Sequence, residues 1–465
     1  MPYDFDLICI GSGPAGQRAA VQAAKLGKKA AVIEKRREVG GVCVDTGTIP
    51  SKTFREAVLH FSRIGTSRFD TRDGIRNSGR PTAEQLLACV SQTIRTEQEV
   101  VEDQLRRNDV QMLSGEAHFV DPHTIAVHHE RGESRYTAEF ILIAVGTFPA
   151  NPPGVPVDCA IVMTSDDVIR MAKLPKTLAV VGGGVIGIEY ASMFGQLGID
   201  VTLVEKRDRP LDFLDREIVD ELMHQMRNAK VTFRLGEAVA SVEVDNGAVN
   251  HAVINLESGK RIVADALLYC VGRTAATEAL QLAAAGLTPG ERGKLTVDEQ
   301  FRTAVPHIFA AGDVLGSPAL AATSAEQGRL AARFAFGAGS GTIPKHFPYG
   351  IYAIPEISMV GATEKELTDQ KTPYETGIAR YREIARGQIL GDDSGFFKML
   401  FHRDTRQLLG VHVMGTSATE LVHIGQAVLA LSGGLDYFLD NVFNYPTLAE
   451  CYKVAALDAA NKLRG

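Results

Sequence analysis

Two six-residue glycine loops constrain this chain more than any other feature. They read Gly11-Ser12-Gly13-Pro14-Ala15-Gly16 and Gly182-Gly183-Gly184-Val185-Ile186-Gly187. Each follows a short apolar run (7–10 or 178–181) and opens a longer amphipathic stretch (16–26 or 187–197). A second apolar run comes next, 30–34 or 201–205, and ends on an acid, Glu34 or Glu205. In both units the acid stands 23 residues after the first glycine. Strand, loop, helix, strand in this order is the start of a parallel, doubly wound sheet.

Each residue type in such a loop has a physical task. Gly11 and Gly182 permit the tight turn, and Gly13 and Gly184 let a pyrophosphate approach the backbone. Gly16 and Gly187 let the helix pack closely on its strand. The helix N-terminus offers free N–H groups and the positive end of its dipole. Glu34 and Glu205 are placed to accept a hydrogen bond from a ribose hydroxyl. One such loop is a weak signal, but two with the same flanks and offset predict two bound dinucleotides. A flavin and a nicotinamide are the natural pair for passing hydride.

The remaining chain sets bounds. At 465 residues it has room for roughly three domains. A net charge of −7 argues against a nucleic-acid partner. No apolar stretch is long enough for a membrane span, and the opening Met1-Pro2-Tyr3-Asp4 begins no targeting segment. Six scattered cysteines without a CxxC pair fit a reducing cytoplasm, and no metal site is expected. The charged segment 53–110 reads as one or two helices broken over Arg72–Arg80. Asn151-Pro152-Pro153-Gly154 reads as a linker, and a Gly- and Ser-rich break follows at Gly337–Pro344. From about 346 onward, strand-like runs (397–401, 409–414) mix with a helical one (418–431), giving an α+β unit.

With these features in view, the whole chain resembles the pyridine nucleotide-disulfide oxidoreductase family, which includes glutathione reductase and lipoamide dehydrogenase. Gly11–Gly16 with Glu34 match its FAD loop. Gly40-Gly41-Val42-Cys43 and Ile49-Pro50-Ser51-Lys52 match its redox-active segment. Ala144-Val145-Gly146-Thr147 match the strand end that closes the FAD domain. Thr303 with Ile308-Phe309-Ala310-Ala311-Gly312-Asp313 match its second FAD motif.

The resemblance implies an α/β fold with two Rossmann-like dinucleotide-binding domains and a C-terminal α+β dimerisation domain. The expected divisions are an FAD domain at 1–150 with a return segment at 273–345, an NAD(P) domain at 151–272, and an interface domain at 346–465. It implies one FAD per subunit, NAD and NADP as substrates, and a homodimer or higher homo-oligomer. Lys52 and Glu189 are implied as an ion pair beside the flavin N5. Asp313 is implied on the ribityl chain, and the backbone near Ala321, opening a helix over 320–334, at the flavin pyrimidine edge. Lys35 and Ala117 join the expected FAD contacts, and Lys206, Arg207 and Gly272 the nicotinamide contacts.

Two departures decide the expected chemistry. Disulfide-reducing members carry C-x4-C, but five residues after Cys43 stands Thr48, whose hydroxyl cannot form a disulfide. Their C-terminal His–Glu acid/base pair is here Tyr445 with Glu450, and a phenol of pKa about 10 is a poor proton shuttle. What remains resembles the branch that exchanges hydride between NADPH and NAD by a ping-pong route, with Si specificity. Val185 stands where glutathione reductase has a tyrosine lid over the flavin. Cys43 reads either as a packed thiol or as a thiolate that tunes the flavin. Glu205 favours the 2′-hydroxyl of NAD, while Lys206, Arg207 and Arg209 offer charge for a 2′-phosphate. The rival readings are a diaphorase or quinone reductase, a non-catalytic flavin sensor, and a disulfide reductase recruiting Cys451.

Overall fold

Aliphatic runs form the central strands, and the computed structural model describes them within residues 3–64, 80–151, 154–246, 250–339 and 341–463. Phe5–Ile10 (β1), helix Pro14–Lys25 (α1) and Ala30–Glu34 (β2) make the first unit. β1 and β2 are parallel, Ile10 facing Ile33. Segment 53–110 supplies two helices, Thr48–Ile64 (α2) and Ala83–Arg107 (α3). The expected break between them falls outside the described residues apart from Arg80. Gln111–Ser114 (β3) then pairs in parallel with β2.

Glu116–Asp121 (β4), Thr124–His129 (β5) and Gly132–Ile143 (β6) form an antiparallel meander. The far half of β6 turns into the parallel sheet beside β1. This long strand joins two sheet geometries without a break.

The second unit repeats the first. Thr177–Val181 (β7), Val185–Gln196 (α4) and Asp200–Glu205 (β8) precede Arg216–Asn228 (α5) and Val231–Leu235 (β9). The sheet is parallel in the order β9-β8-β7, followed by Ala266–Tyr269 (β10) and the short strand Val162–Met163. An antiparallel three-stranded layer over Val239–Asn246, Asn250–Leu256 and Arg261–Ala264 covers one face of it. That layer had no counterpart in the sequence reading.

The chain then returns to the first sheet. Ile308–Ala310 (β11) pairs in parallel with β6, and helix Ala321–Ala335 (α6) packs along α1. The packing is close, since a Cβ on Gly328 would meet the Ala15 carbonyl oxygen at 2.0 Å.

The C-terminal unit is a five-stranded antiparallel sheet. Tyr349–Ile351 (β12), Ile357–Gly361 (β13), Tyr374–Arg380 (β14), Phe396–His402 (β15) and Leu408–Met414 (β16) lie in the order β12-β13-β16-β15-β14. Helices Ala418–Ala430 (α7) and Glu450–Leu463 (α8) cover it. A core of α4, α5, β7 and β8 residues runs on into Ile351, Ile357 and Met414, so this unit is packed against the second sheet rather than tethered to it. Among the described residues no helix is long and apolar enough to cross a membrane.

Candidate active site

Both glycine loops leave the carboxyl ends of parallel strands, where open α/β sheets form their crevice. Gly11 (φ +106°) and Gly182 (φ +108°) turn in the left-handed region, and a Cβ on either would strike a carbonyl oxygen, Ala144 at 2.4 Å or Cys270 at 2.3 Å. A Cβ on Gly16 or Gly187 would fall 1.9 Å from the carbonyl oxygen of its own loop's first glycine. Gly13 and Gly184 instead face open space.

Those two are the N-cap residues of α1 and α4, and neither helix has a side-chain cap. The N-terminus of α6, at Ala321, is also uncapped. By contrast α3 and α5 are capped by Thr82 and Asp215. An uncapped N-terminus leaves backbone N–H groups and a positive dipole end for an outside anion.

The two acids are held differently. Glu34 Oε2 accepts from the Ser12 N–H (3.0 Å) and hydroxyl (2.6 Å), and Oε1 accepts from the Arg36 N–H (2.9 Å). The Ser12 hydroxyl in turn accepts from the Gly40 N–H at 2.9 Å, fastening segment 40–43 over the loop. A Cβ on Gly41 would sit 2.9 Å from Gly13 Cα.

Glu205 accepts from the Gly183 N–H at 2.5 Å and from the Arg207 N–H and Nε at 2.9 Å each. Burial pushes the Glu205 carboxyl up, but Arg207 and these N–H groups outweigh it and leave it below the usual range. Arg207 also reaches Asp212 at 2.6 Å. Lys206 is exposed, with no ion-pair partner among the described residues. Arg209 is paired with Asp220 at 2.8 Å and, unlike Lys206 and Arg207, does not line the cavity.

A single cavity of about 1560 Å³ takes in both loops. Ser12, Pro14, Ala15, Lys35, Val42, Ala117, Ala144, Gly146, Val185, Lys206 and Gly272 line it as well as the acids. Of the expected contacts, Gly16, Gly40 and Gly187 do not line it, and they shape the loops from behind. In its wall the Lys52 ammonium donates to both Glu189 oxygens, at 3.0 and 2.8 Å, joining α2 to α4. Burial pushes the Asp313 carboxyl up, opposed by Arg273 and by hydrogen bonds from Ser324 and Thr147.

Cys43 also lines the cavity, but burial pushes its thiol up and a hydrogen bond with Thr48 only partly offsets this. The packed-thiol reading therefore fits better than a thiolate. Cys451 is fully buried in the C-terminal core, which removes it as a disulfide partner within the chain. Tyr445 is 68% exposed, and Glu450 Oε2 is buried without a partner among the described residues.

Sequence reasoning missed three contributors. Arg273 bonds the Thr147 hydroxyl (2.8 Å) and carbonyl (3.0 Å), bracing the two-stranded antiparallel sheet that Thr147–Pro149 and Arg273–Ala275 form beside the cavity. Tyr352 and Asp166 line the same space. Tyr352 is far in sequence from both loops, and neither Asp166 nor Arg273 belongs to a motif that assigned it a role.

Two family models match the chain. Residues 5–328 match the pyridine nucleotide-disulphide oxidoreductase model, and 347–456 match its dimerisation domain. The chain is 51% identical, over 99% of its own length and 98% of the relative's, to a protein of Mycobacterium tuberculosis named soluble pyridine nucleotide transhydrogenase. It is 41% identical, at the same coverage, to a protein of that name from Photobacterium profundum. Among solved structures, LpdA of Mycobacterium tuberculosis matches with TM-score 0.88 at 26% identity, covering 97% of this chain and 99% of that one. The Escherichia coli flavoprotein disulfide reductase RclA matches with TM-score 0.87 at 25% identity and the same coverage. Two Rossmann-type sheets, a C-terminal sheet and these matches lead to one conclusion: the chain belongs to the pyridine nucleotide-disulphide oxidoreductase family of flavoproteins, whose members bind FAD and NAD(P).

Proposed function

We propose that the chain exchanges hydride between NADPH and NAD⁺, with FAD at the first loop, either nicotinamide in turn at the second, and no redox disulfide. One observation carries this reading. Two uncapped helix N-termini open on the same cavity, whose wall holds the Lys52–Glu189 pair and, where a second sulfur would be needed, Thr48. The residues present fit the two dinucleotides: Gly13 and Gly184 leave open the space a Cβ would fill, and neither helix N-terminus has a side-chain cap.

Bound FAD supplies the two-electron store between the nicotinamides. The chain's own residues do the rest. The α1 and α4 N-termini hold the pyrophosphates, Glu34 and Glu205 the riboses, and Asp313 the ribityl hydroxyls. Lys52, fixed by Glu189, places a positive charge at the flavin. The N-terminus of α6 adds its dipole at Ala321. The small side chain of Val185 leaves the nicotinamide face accessible, which suits a ping-pong route. Lys206 and Arg207 cover the 2′-phosphate of NADPH, and Glu205 takes the 2′-hydroxyl of NAD.

The names of the transhydrogenase relatives support the same reading. The dimerisation domain supports a homodimer, as do the exposed Leu431, Val442 and Tyr445 of that domain. Six unpaired cysteines suit the cytoplasm.

Purified protein mixed with NADPH and thio-NAD⁺, whose reduction absorbs at its own wavelength, tests the proposal. Thio-NADH should accumulate in both the wild type and Cys43→Ser. Turnover with a quinone but not with thio-NAD⁺ would replace exchange by the diaphorase reading.

A further inference from the structure

The Lys52 ammonium is held by more than its ion pair. Besides donating to both Glu189 oxygens, it lies 4.9 Å from the centroid of the Tyr352 ring. That is within the distance at which an aromatic face attracts a cation. Tyr352 also donates its backbone N–H to Glu189 Oε1 at 2.9 Å. One residue therefore touches both members of the pair, the acid through its backbone and the base through its ring.

Tyr352 belongs to neither Rossmann-type sheet. It follows β12 in the C-terminal unit, and its neighbours are fastened to the same two helices. Ile354 donates its N–H to the Ser192 hydroxyl at 2.9 Å, and that hydroxyl donates to the Glu189 carbonyl at 2.7 Å. One turn beyond Lys52 on α2, the buried Arg55 donates to the Ala353 carbonyl at 3.0 Å and pairs with Glu356 at 2.9 Å. Thr419, in the first turn of α7, donates its N–H and hydroxyl to Glu356 Oε1 at 3.1 and 3.2 Å. Its side chain also lies beside the Tyr352 phenol, where it opposes the upward push of burial on that group. The contacts join α2, α4 and the 352–356 segment in a closed circuit, which α7 reaches through Glu356. A ring tethered at its backbone and set beside Thr419 has little freedom to leave the ammonium.

We infer that Tyr352 is a positioning residue for the hydride exchange: its ring and backbone N–H fix the Lys52 ammonium, so the C-terminal unit sets the charge beside the flavin. The inference rests on the flavin role proposed for Lys52. Space-filling alone would give the ring no influence on that charge.

The test uses full-length holoprotein carrying Lys52→Met, Tyr352→Leu, Tyr352→Phe or Thr419→Val. The readouts are the FAD midpoint potential and, in FAD-free protein, the acetylation rate of Lys52 by acetic anhydride, followed by mass spectrometry. Lys52→Met should lower the potential. Tyr352→Leu should lower it in the same direction by about tenfold in the two-electron equilibrium, roughly 30 mV, and speed Lys52 acetylation several-fold. Tyr352→Phe, which keeps the ring and loses only the hydroxyl, should restore most of both readings. Thr419→Val should give smaller shifts of the same sign. A shifted Lys52→Met with wild-type values in Tyr352→Leu and Thr419→Val overturns the inference and leaves the role of Lys52 standing. An unshifted Lys52→Met overturns both.

Discussion

The two glycine loops share a backbone but differ in what lies over them. In the first, the Ser12 hydroxyl links Glu34 to the Gly40 N–H, and the 40–43 segment presses on Gly13. In the second, the Ser12 position is Gly183, where a Cβ would crowd Glu205 Oε2 at 2.8 Å, and a mobile type of side chain, Arg207, does the holding. Arg207 is 44% exposed on its side chain and has a second carboxylate, Asp212, within reach. The first loop is clasped and the second is latched. On the proposed reading the clasp retains FAD, and the latch admits nicotinamides that come and go.

The strongest attempt to break this contrast is the matched pair Gly16→Ala and Gly187→Ala, since each Cβ would fall 1.9 Å from a carbonyl oxygen. Gly16→Ala should purify without the flavin's visible absorbance. Gly187→Ala should keep its FAD but bind NADPH about a hundredfold more weakly, as expected for losing two N–H bonds to a charged group at about 1.5 kcal/mol each. FAD loss in both variants would erase the division of labour.

The next effect is on stability. Lys52→Ala leaves the Glu189 carboxylate, 4% exposed, without its partner. Breaking such a pair costs about 3 kcal/mol, read as a lower midpoint in denaturant. An unchanged midpoint would mean that the pair contributes nothing to joining α2 and α4.

Selectivity sharpens the contrast further. Arg207→Ala should weaken NADPH roughly tenfold, by about one charge-assisted bond, and weaken NAD⁺ less, through the loosened Glu205 alone. Glu205→Gln should do the reverse. Because the Glu205 carboxyl lies below its usual range, it stays ionised as pH falls through the ordinary glutamate value of about 4.3. Its contribution is present above that pH and is lost only as pH falls through the lower folded value. Calorimetric NAD⁺ affinity should therefore be flat from pH 7 down to about 4.3, and a decline on approaching that value would contradict the geometry.

The smallest effect belongs to Cys43. With its thiol pushed up by burial, Cys43→Ser should change steady-state exchange by no more than about twofold.

The glycine loops, their helices and their acids were legible in the sequence because the constraint on each is local: a turn, a carbonyl 1.9 Å away, a strand end. Thr48 and Tyr445 were legible as departures from a resemblance. The pairing of Arg273 with Thr147 and of Tyr352 with Glu189 was not, because these partners lie 126 and 163 residues apart and a motif that marks one partner does not point to the other. The antiparallel layer over 239–264 was missed for a different reason: its short alternating strands carry no glycine motif.

The central claim is that the two loops hold two dinucleotides that trade hydride through one cavity. A sequential stopped-flow experiment tests it most directly. NADPH is mixed with holoprotein until the flavin band bleaches, and excess NAD⁺ is then added. The account predicts that the band returns without oxygen and that NADH forms in equal amount. A band that stays bleached with NAD⁺ would contradict it.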